Sequence, residues 1–298
     1  MAGIDINRTT SGVSLPPQVS AEIWETAQTA SAIMQLAQPI TLPGSGISVP
    51  VITGDPTAAW VAETAEKPVS RGAVSSKTIT PYKLAVIEPF SNEFRRDLPG
   101  LYAALARRLP GALAVKFDQT VINGTAPGSN FDVLSSTTVV GIAGNTYKGL
   151  LAADAAVATG NGFLNGWALS PQARSLLLGA MDSTGRPLFI NSMVTDGQVP
   201  ALLGQPVYQT KAVYVSDYNG ATAGTDNLLG IAGDWTQAMY GTVEGVQISI
   251  SDQATINDGG TQLNLWQRNM FAVRAEIEIG FRVKDPNAFV RLTSATQS

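Results

Sequence analysis

The sequence predicts an α+β protein, and three features carry that prediction. The first is a helix pattern in which Leu98, Leu101, Tyr102, Leu105, Leu109, Leu113, Phe117 and Val121 recur at spacings of three and four and form one apolar stripe. The second is a strand pattern over Phe271–Val283. Val273, Ala275, Ile277, Ile279, Phe281 and Val283 share one face, and Arg274, Glu276, Glu278, Arg282 and Lys284 share the other. The third is a polar excursion, Glu63–Ser76, between an extended stretch at Trp60–Ala62 and a return strand reaching Phe90. Its tip has too few apolar residues to pack on its own subunit, so it needs a surface outside that subunit to rest on.

Taken in order, residues 1–19 are Thr/Ser/Pro-rich and read as a flexible arm. Ser20 is placed to cap a helix carrying Ile23, Trp24, Ala27, Ile33 and Met34, which Pro39 ends. Pro39–Leu42 and Ile47–Ile52, split by Gly44-Ser45-Gly46, read as a short hairpin. Along the return strand, Pro81 and Pro89 restrict Tyr82, Leu84 and Val86 to the edge of a sheet. The long helix has Asp97 as N-cap and Asn123-Gly124 as its stop, with a kink expected at Pro110. A Gly/Ser/Asn/Thr-rich connector runs to about Thr146 and reads as loop.

From Tyr147 to Asp234 the pattern becomes short helices and strands. Tyr147–Ala158 is helical, Trp167–Leu169 is a buried strand, and Ser170-Pro171 opens a helix carrying Leu176, Leu177 and Leu178. Gly204–Tyr208 and Leu228–Ala232 are strands, and Asn219–Asp226 is a small-residue tip. The last third is β-rich: Ala238–Val243, Val246–Ser251, the long strand, and a closing strand at Ala288–Leu292 after Asp285-Pro286. The long strand is expected to pack its apolar face on the long helix.

Composition narrows the function. There is no cysteine and no histidine in 298 residues, which removes thiolate nucleophiles, disulfides, Ser-His-Asp arrangements and zinc sites built on Cys or His. The net charge is −4 and the pI about 4.9, with basic residues densest at Arg95-Arg96 and Arg107-Arg108. A protein gripping nucleic acid directly needs a basic surface, so that class is disfavoured. No window approaches a bilayer-spanning run, and no secretion signal opens the chain. Charged residues are only 14%, against about 25% in ordinary soluble domains. That deficit points to a surface largely covered by other subunits, or more simply to one rich in Thr, Ser and Gln. Gly44-Ser45-Gly46 and Gly230–Gly233 lack the context of a phosphate-binding loop.

The order of these parts is distinctive. The hairpin carries Trp60-Val61-Ala62-Glu63 and Glu66-Lys67-Pro68, the helix ends in Asn-Gly, and Arg268-Asn269-Met270 and Asp285-Pro286-Asn287-Ala288-Phe289 come last. With Ala168-Leu169-Ser170-Pro171, Gly185-Arg186-Pro187-Leu188 and Leu203–Val207 between them, the chain from about Leu15 resembles the major capsid proteins of tailed bacteriophages, the fold typified by phage Hong Kong 97. The resemblance implies an N-terminal arm and short helix (1–38) and a peripheral domain built on a spine helix (39–57, 91–146 and 235–298). It also implies an extended loop lying over a neighbouring subunit (58–90) and an axial domain (147–234). It implies a shell of pentamers and hexamers around double-stranded DNA, assembled in the host bacterial cytoplasm and found in the virion. It implies no cofactor, metal or membrane. An encapsulin-type compartment on the same fold is the alternative. The long N-terminal scaffolding segment of some members does not match here; a separate scaffolding protein is the favoured expectation, removal of the segment before Met1 the other, and portal and decoration proteins are further expected partners.

Inter-subunit contact residues are then expected at Trp60, Glu63, Glu66, Lys67, Arg95, Arg96, Arg107 and Arg108, the arginines pairing with acids of adjacent subunits. In the prototype a loop lysine forms an isopeptide bond with a neighbour's asparagine, assisted by a glutamate. The matching positions here are Lys67, Asn269 and Glu276. The favoured assignment is plainer: Lys67 in an ion pair with a neighbouring carboxylate and Asn269 capping a turn. Glu276 and Glu278 also share a strand face and could form a hydrolase-like carboxylate pair, although strand alternation alone accounts for them. Trp60, Trp167, Trp235 and Trp266 are expected as core or interface anchors.

Overall fold

In a computed structural model of the chain, residues 31–54, 56–92, 98–181, 186, 188, 201–218 and 226–296 are described, with only the backbone described at 52, 53, 98–107 and 110. The expected helix residues Ser20, Ile23, Trp24 and Ala27, the cap Asp97, Arg95, Arg96 and most of the 219–226 tip lie outside the described residues.

The long helix, α2 (Leu98–Asn123), has 26 residues and is about 39 Å long. It continues through Pro110 without a break in the assignment. Its stripe is buried where described: Leu109, Leu113, Phe117 and Val121 are all 3% exposed or less. The long strand, β14 (Met270–Val283), meets it as expected. Phe271, Val273, Ala275 and Ile277 cluster with Leu109 and Leu113, and Ile279, Phe281 and Val283 cluster with Phe117 and Val121. The Phe117 and Phe281 rings meet edge-on at 6.3 Å.

β14 organises a five-stranded sheet. Along one edge run β10 (Ala238–Thr242) and β11 (Gln247–Ser251), antiparallel to it. They act as one strand interrupted by a bulge, because four residues, 243–246, oppose only Ile277 and Glu278. Along the other edge runs β4 (Tyr82–Ser91), paired with β14 over ten residues and with no second partner strand among the described residues, in keeping with Pro81 and Pro89. β1 (Gln38–Thr41) joins β10 in parallel.

Four expectations are corrected here. Pro39–Leu42 and Ile47–Ile52 do not form a hairpin, since β1 pairs with β10 while β2 (Ile47–Gly54) pairs with β3 (Ala73–Ile79). The projecting hairpin is therefore β2 and β3, with Pro56–Gly72 as its tip, and it does not extend to Phe90. Trp60–Ala62 is irregular, not strand. The physical reason is that β4 has an apolar partner strand in β14, whereas β2 and β3 have no other partner strand among the described residues. Similarly, Ser31 is extended (φ −89°, ψ 122°) and caps a new helix, α1 (Ala32–Leu36), so Ile33 and Met34 do not continue a helix begun at Ser20.

The second sheet has the order β5-β15-β9-β6-β8-β7. It comprises β5 (Thr138–Ala143), β6 (Gly166–Leu169), β7 (Ala201–Leu202), β8 (Gln205–Gln209), β9 (Leu228–Gly233) and β15 (Phe289–Thr296). Helices α3 (Thr146–Thr159) and α4 (Pro171–Leu178) bury Leu150, Ala153, Val157, Ala173 and Leu177 in one cluster with Trp167, Leu229, Val290 and Leu292. Ser170 caps α4 by accepting from the Ala173 amide at 3.1 Å, and Pro171 opens it. Two readings change: the connector contains strand β5, and the closing strand β15 completes this sheet, not the one around β14. A two-stranded hairpin, β12 (Thr255–Asp258) and β13 (Thr261–Asn264), was also not expected. Its turn is Gly259-Gly260, both at positive φ (59° and 94°), as a two-residue hairpin turn of the primed type demands.

Candidate assembly interface

Every residue of the hairpin tip from Pro56 to Gly72 is exposed. Trp60 is 106% exposed and Val69 85%. The tip has internal order only through small hydrogen bonds: the Thr57 amide donates to Ser70 Oγ at 2.7 Å and the Ala65 amide to the Ala62 carbonyl at 3.1 Å. A tryptophan fully in water is an unusual outlay of apolar area, worth about 2–3 kcal/mol once buried. Glu63, Glu66 and Lys67 lie on this same exposed tip.

The root of the hairpin, in contrast, is clamped. Arg282 on β14 donates from Nε to the Thr78 carbonyl (2.8 Å), from Nη1 to Asp132 Oδ1 (2.6 Å) and from Nη2 to Asn130 Oδ1 (3.1 Å). Asp132 also accepts from the Val283 amide at 3.1 Å. Lys77 on β3 donates to the carbonyls of Val283 (2.7 Å) and Lys284 (3.0 Å). Gly280 allows the close approach, since a Cβ there would lie 2.7 Å from the Thr80 carbonyl oxygen and 2.9 Å from Ile79 Cγ1. The result is a hairpin with a fixed root and an unsupported end.

The charged face of β14 binds β4. Lys83 Nζ sits 2.9 Å from Glu276 Oε1 and 3.3 Å from Glu278 Oε1, and Arg274 Nε lies 3.7 Å from Glu276 Oε2. The hydrogen bond from Lys83 holds the Glu276 carboxyl below the usual glutamate range, and the same bond raises Lys83 above the usual lysine range. A carboxylate so held is a poor proton acceptor. With Lys83 bridging both acids, they form a cross-strand ion-pair network. A cavity of about 240 Å³ opens beside them at the β10–β11 bulge, lined by Glu244, Gln247, Glu276 and Glu278. Glu244 is occupied by Gln247 Nε2 at 2.8 Å. Among the described residues no acidic cluster is arranged to hold a metal ion.

The remaining expected site residues are placed as follows. Asn269 stands at φ 52° in a turn; its amide donates to the Trp266 carbonyl and its Oδ1 accepts from Asn92 Nδ2 at 2.8 Å. No hydrogen bond or ion pair joins Lys67 to Asn269 or Glu276 within the subunit. Arg108, expected to pair across subunits, lies 3.8 Å from Glu88 of its own chain on a well exposed surface. The side chain of Arg107 lies outside the described residues. Trp167 and Trp235 are core, donating from Nε1 to the Leu202 and Gly166 carbonyls, while Trp60 and Trp266 are exposed. Sequence reasoning missed the clamp residues Lys77, Asp132 and Arg282. Only the placement of Arg282 on the charged side of an otherwise regular strand hinted at them.

This arrangement, two sheets joined across one long helix with a rooted, projecting hairpin, can be compared with known proteins. Residues 11–294 match the phage capsid family. The chain belongs to that family. Among capsid proteins of the family, the probable major capsid protein gp17 of Mycobacterium phage L5 is 34% identical over 297 residues, covering 94% of this chain and 89% of that protein. A solved structure from Gordonia phage Cozz superposes with a TM-score of 0.70 at 25% identity, covering 90% of this chain and 87% of the other. The capsid of an empty GTA particle, at 16% identity, shares the fold with a TM-score of 0.64 over 99% of this chain and 96% of that one. As a phage capsid protein the chain is a structural component of the virion and not an enzyme.

Proposed function

We infer that this chain is the major capsid protein that builds a tailed-phage head shell from copies of itself. The observation that carries this reading is the family match over nearly the whole chain. The fully exposed hairpin tip adds physical support, because it has a tryptophan and no packing partner among the described residues of its own subunit. In finer detail, the subunits form pentamers and hexamers that close into an icosahedral shell around double-stranded DNA. The β2–β3 hairpin and its tip act as the extended loop over a neighbouring subunit. The sheet around β14 with α2 acts as the peripheral domain, and the sheet carrying α3 and α4 acts as the bulk of the axial domain. Residues 1–38 serve as the N-terminal arm and short helix. Contacts of this head-to-tail kind join one patch to a different patch on the next copy, so they generate rings. A separate scaffolding protein, portal and decoration proteins complete the list of partners, and assembly takes place in the bacterial cytoplasm.

Electron microscopy of the expressed protein tests this reading. Closed shells are expected. A monodisperse monomer at high concentration would overturn it. Genomic DNA in particles from infected cells separates a phage head from a cargo-holding compartment.

The contacts of Lys67, Asn269 and Glu276 are proposed to be non-covalent. Glu276 is held ionised by Lys83, and Asn269 is engaged by Asn92 at a turn. Shells boiled in detergent are therefore expected to run as one monomer band, and a ladder of multimers would contradict this.

A further inference from the structure

Asp118 is a fully buried acid in the middle of the apolar stripe of α2, between Phe117 and Val121. It joins three separate parts of the chain. Ser31 Oγ donates to its Oδ1 at 2.5 Å, and the Ala32 amide donates to its Oδ2 at 3.1 Å. Ser31 Oγ in turn accepts from the Met34 amide at 3.1 Å, so Asp118 props the residue that caps α1. The Thr210 hydroxyl, just past β8, gives further support. No ion pair reaches Asp118 among the described residues. α1 and β6 carry no charge. Lys116 on α2 and Lys211 beside Thr210 are exposed, Lys83 is bound to Glu276 and Glu278, Glu88 lies beside Arg108, and Asp132 is held by Arg282.

We propose that the seat of residues 31–36 on α2 is a proton-operated latch, closed more firmly when Asp118 is protonated and loosened when it ionises. The geometry sets the sign. In the closed seat the carboxylate has lost all water and is compensated only by neutral donors. Lifting the segment lets water reach it. Burial, opposed by the Ser31 and Ala32 hydrogen bonds, pushes Asp118 up to about 6 in the closed state. In the lifted state the group returns to about 3.9. Between those values the closed state holds a proton that the lifted state does not, so raising the pH favours lifting, by up to tenfold per pH unit. This latch does not rest on the shell reading, since it acts within one subunit.

Hydrogen exchange at the Ala32, Ile33 and Met34 amides of the full-length protein tests it. After correction for intrinsic exchange rates, protection is expected to fall about tenfold between pH 5 and pH 7.5 in the wild type. It is expected to stay level in Asp118→Asn. Level protection in the wild type, or the same fall in the variant, overturns the proposal. If Asp118→Asn does not fold, the carboxyl carbon of Asp118 is followed by NMR in the wild-type protein. A titration midpoint near 6 supports the latch, and one below about 4.5 overturns it.

Discussion

Replacing the hairpin tip, residues 57–71, with a short Gly/Ser linker is expected to abolish shell formation while leaving the subunit folded. The tip contributes nothing to any of the three buried apolar clusters. Its own hydrogen bonds are few and exposed. The clamp made by Lys77, Arg282 and Asp132 lies below it and stays intact. The unfolding free energy should therefore change by less than about 1 kcal/mol, the usual range for surface changes. Assembly should respond very differently. Burying Trp60 on a neighbour is worth about 2–3 kcal/mol per subunit, and the gain repeats at every contact of a closed ring. The loss in particle yield should exceed about tenfold, because 1.4 kcal/mol already corresponds to a factor of ten per contact. Trp60→Ala with Val69→Ser should give a milder version of the same defect. Sedimentation of the expressed variants checks the first point and urea titration the second. A tip-deleted chain that still forms shells at wild-type yield would remove the hairpin from the assembly interface.

The prominence of that hairpin in the sequence explains which parts of the fold were legible. A stripe of leucines and a run of alternating Val, Ile and Phe are signals within one element. α2 and β14 were both read to within a residue or so at the ends that are described. Partner choice is a long-range property and was misread. Nothing in Ile47–Ile52 states that its mate is Ala73–Ile79 and not Pro39–Leu42, and the polar Ser75, Ser76, Lys77 and Thr78 of the true partner made the nearer, apolar Ile40 and Leu42 look the better match. β5 was hidden because Thr138–Ala143 lies among small residues and is made a strand only by β15, about 150 residues later. The β12–β13 hairpin was overlooked although its signal is local, Gly259-Gly260 standing between Thr/Ile/Asn and Thr/Gln/Leu. Of the expected contact residues, Trp60, Glu63, Glu66 and Lys67 fall on the exposed tip, as the polar composition of that stretch suggested, and their contact role stays a proposal. The clamp was not, because Asp132, Arg282 and Thr78 converge only once the connector folds back over β14.

The same contrast between local and long-range signals marks the largest stability effect expected of a single side chain. Asp234 stands where the chain passes from β9 into β10, and so from one sheet to the other. Its Oδ1 accepts from the Thr236 hydroxyl (2.5 Å), the Thr236 amide (3.1 Å) and Asn165 Nδ2 (3.1 Å). Its Oδ2 accepts from Gln237 Nε2 (3.1 Å) and the Phe163 amide (3.2 Å). Asp234→Ala leaves five donors without their acceptor and frees the loop after α3, so a loss of about 3–5 kcal/mol is expected. Asp234→Asn keeps the shape but turns an NH₂ toward donors, and about 2–3 kcal/mol is expected. Burial alone would raise this carboxyl. The hydrogen bonds from Thr236, Phe163 and Gln237 outweigh it and hold the group below the ordinary aspartate value. The unfolded chain therefore takes up the proton first. The contribution of Asp234 is fully present above about pH 4 and drains away as the pH falls through the folded value. That slope is opposite in sign to the one expected from Asp118, which weakens the structure as the pH rises through about 6. Urea titrations at pH 3.5, 5 and 7 separate the two. Asp234→Asn should flatten the acid side of the profile and leave the slope between pH 5 and 7 unchanged. A variant as stable as the wild type at pH 7 would mean that the crossing between the sheets is held by the backbone bonds there, Asp234 to Ala288 and Lys284 to Gln237, and not by the carboxylate.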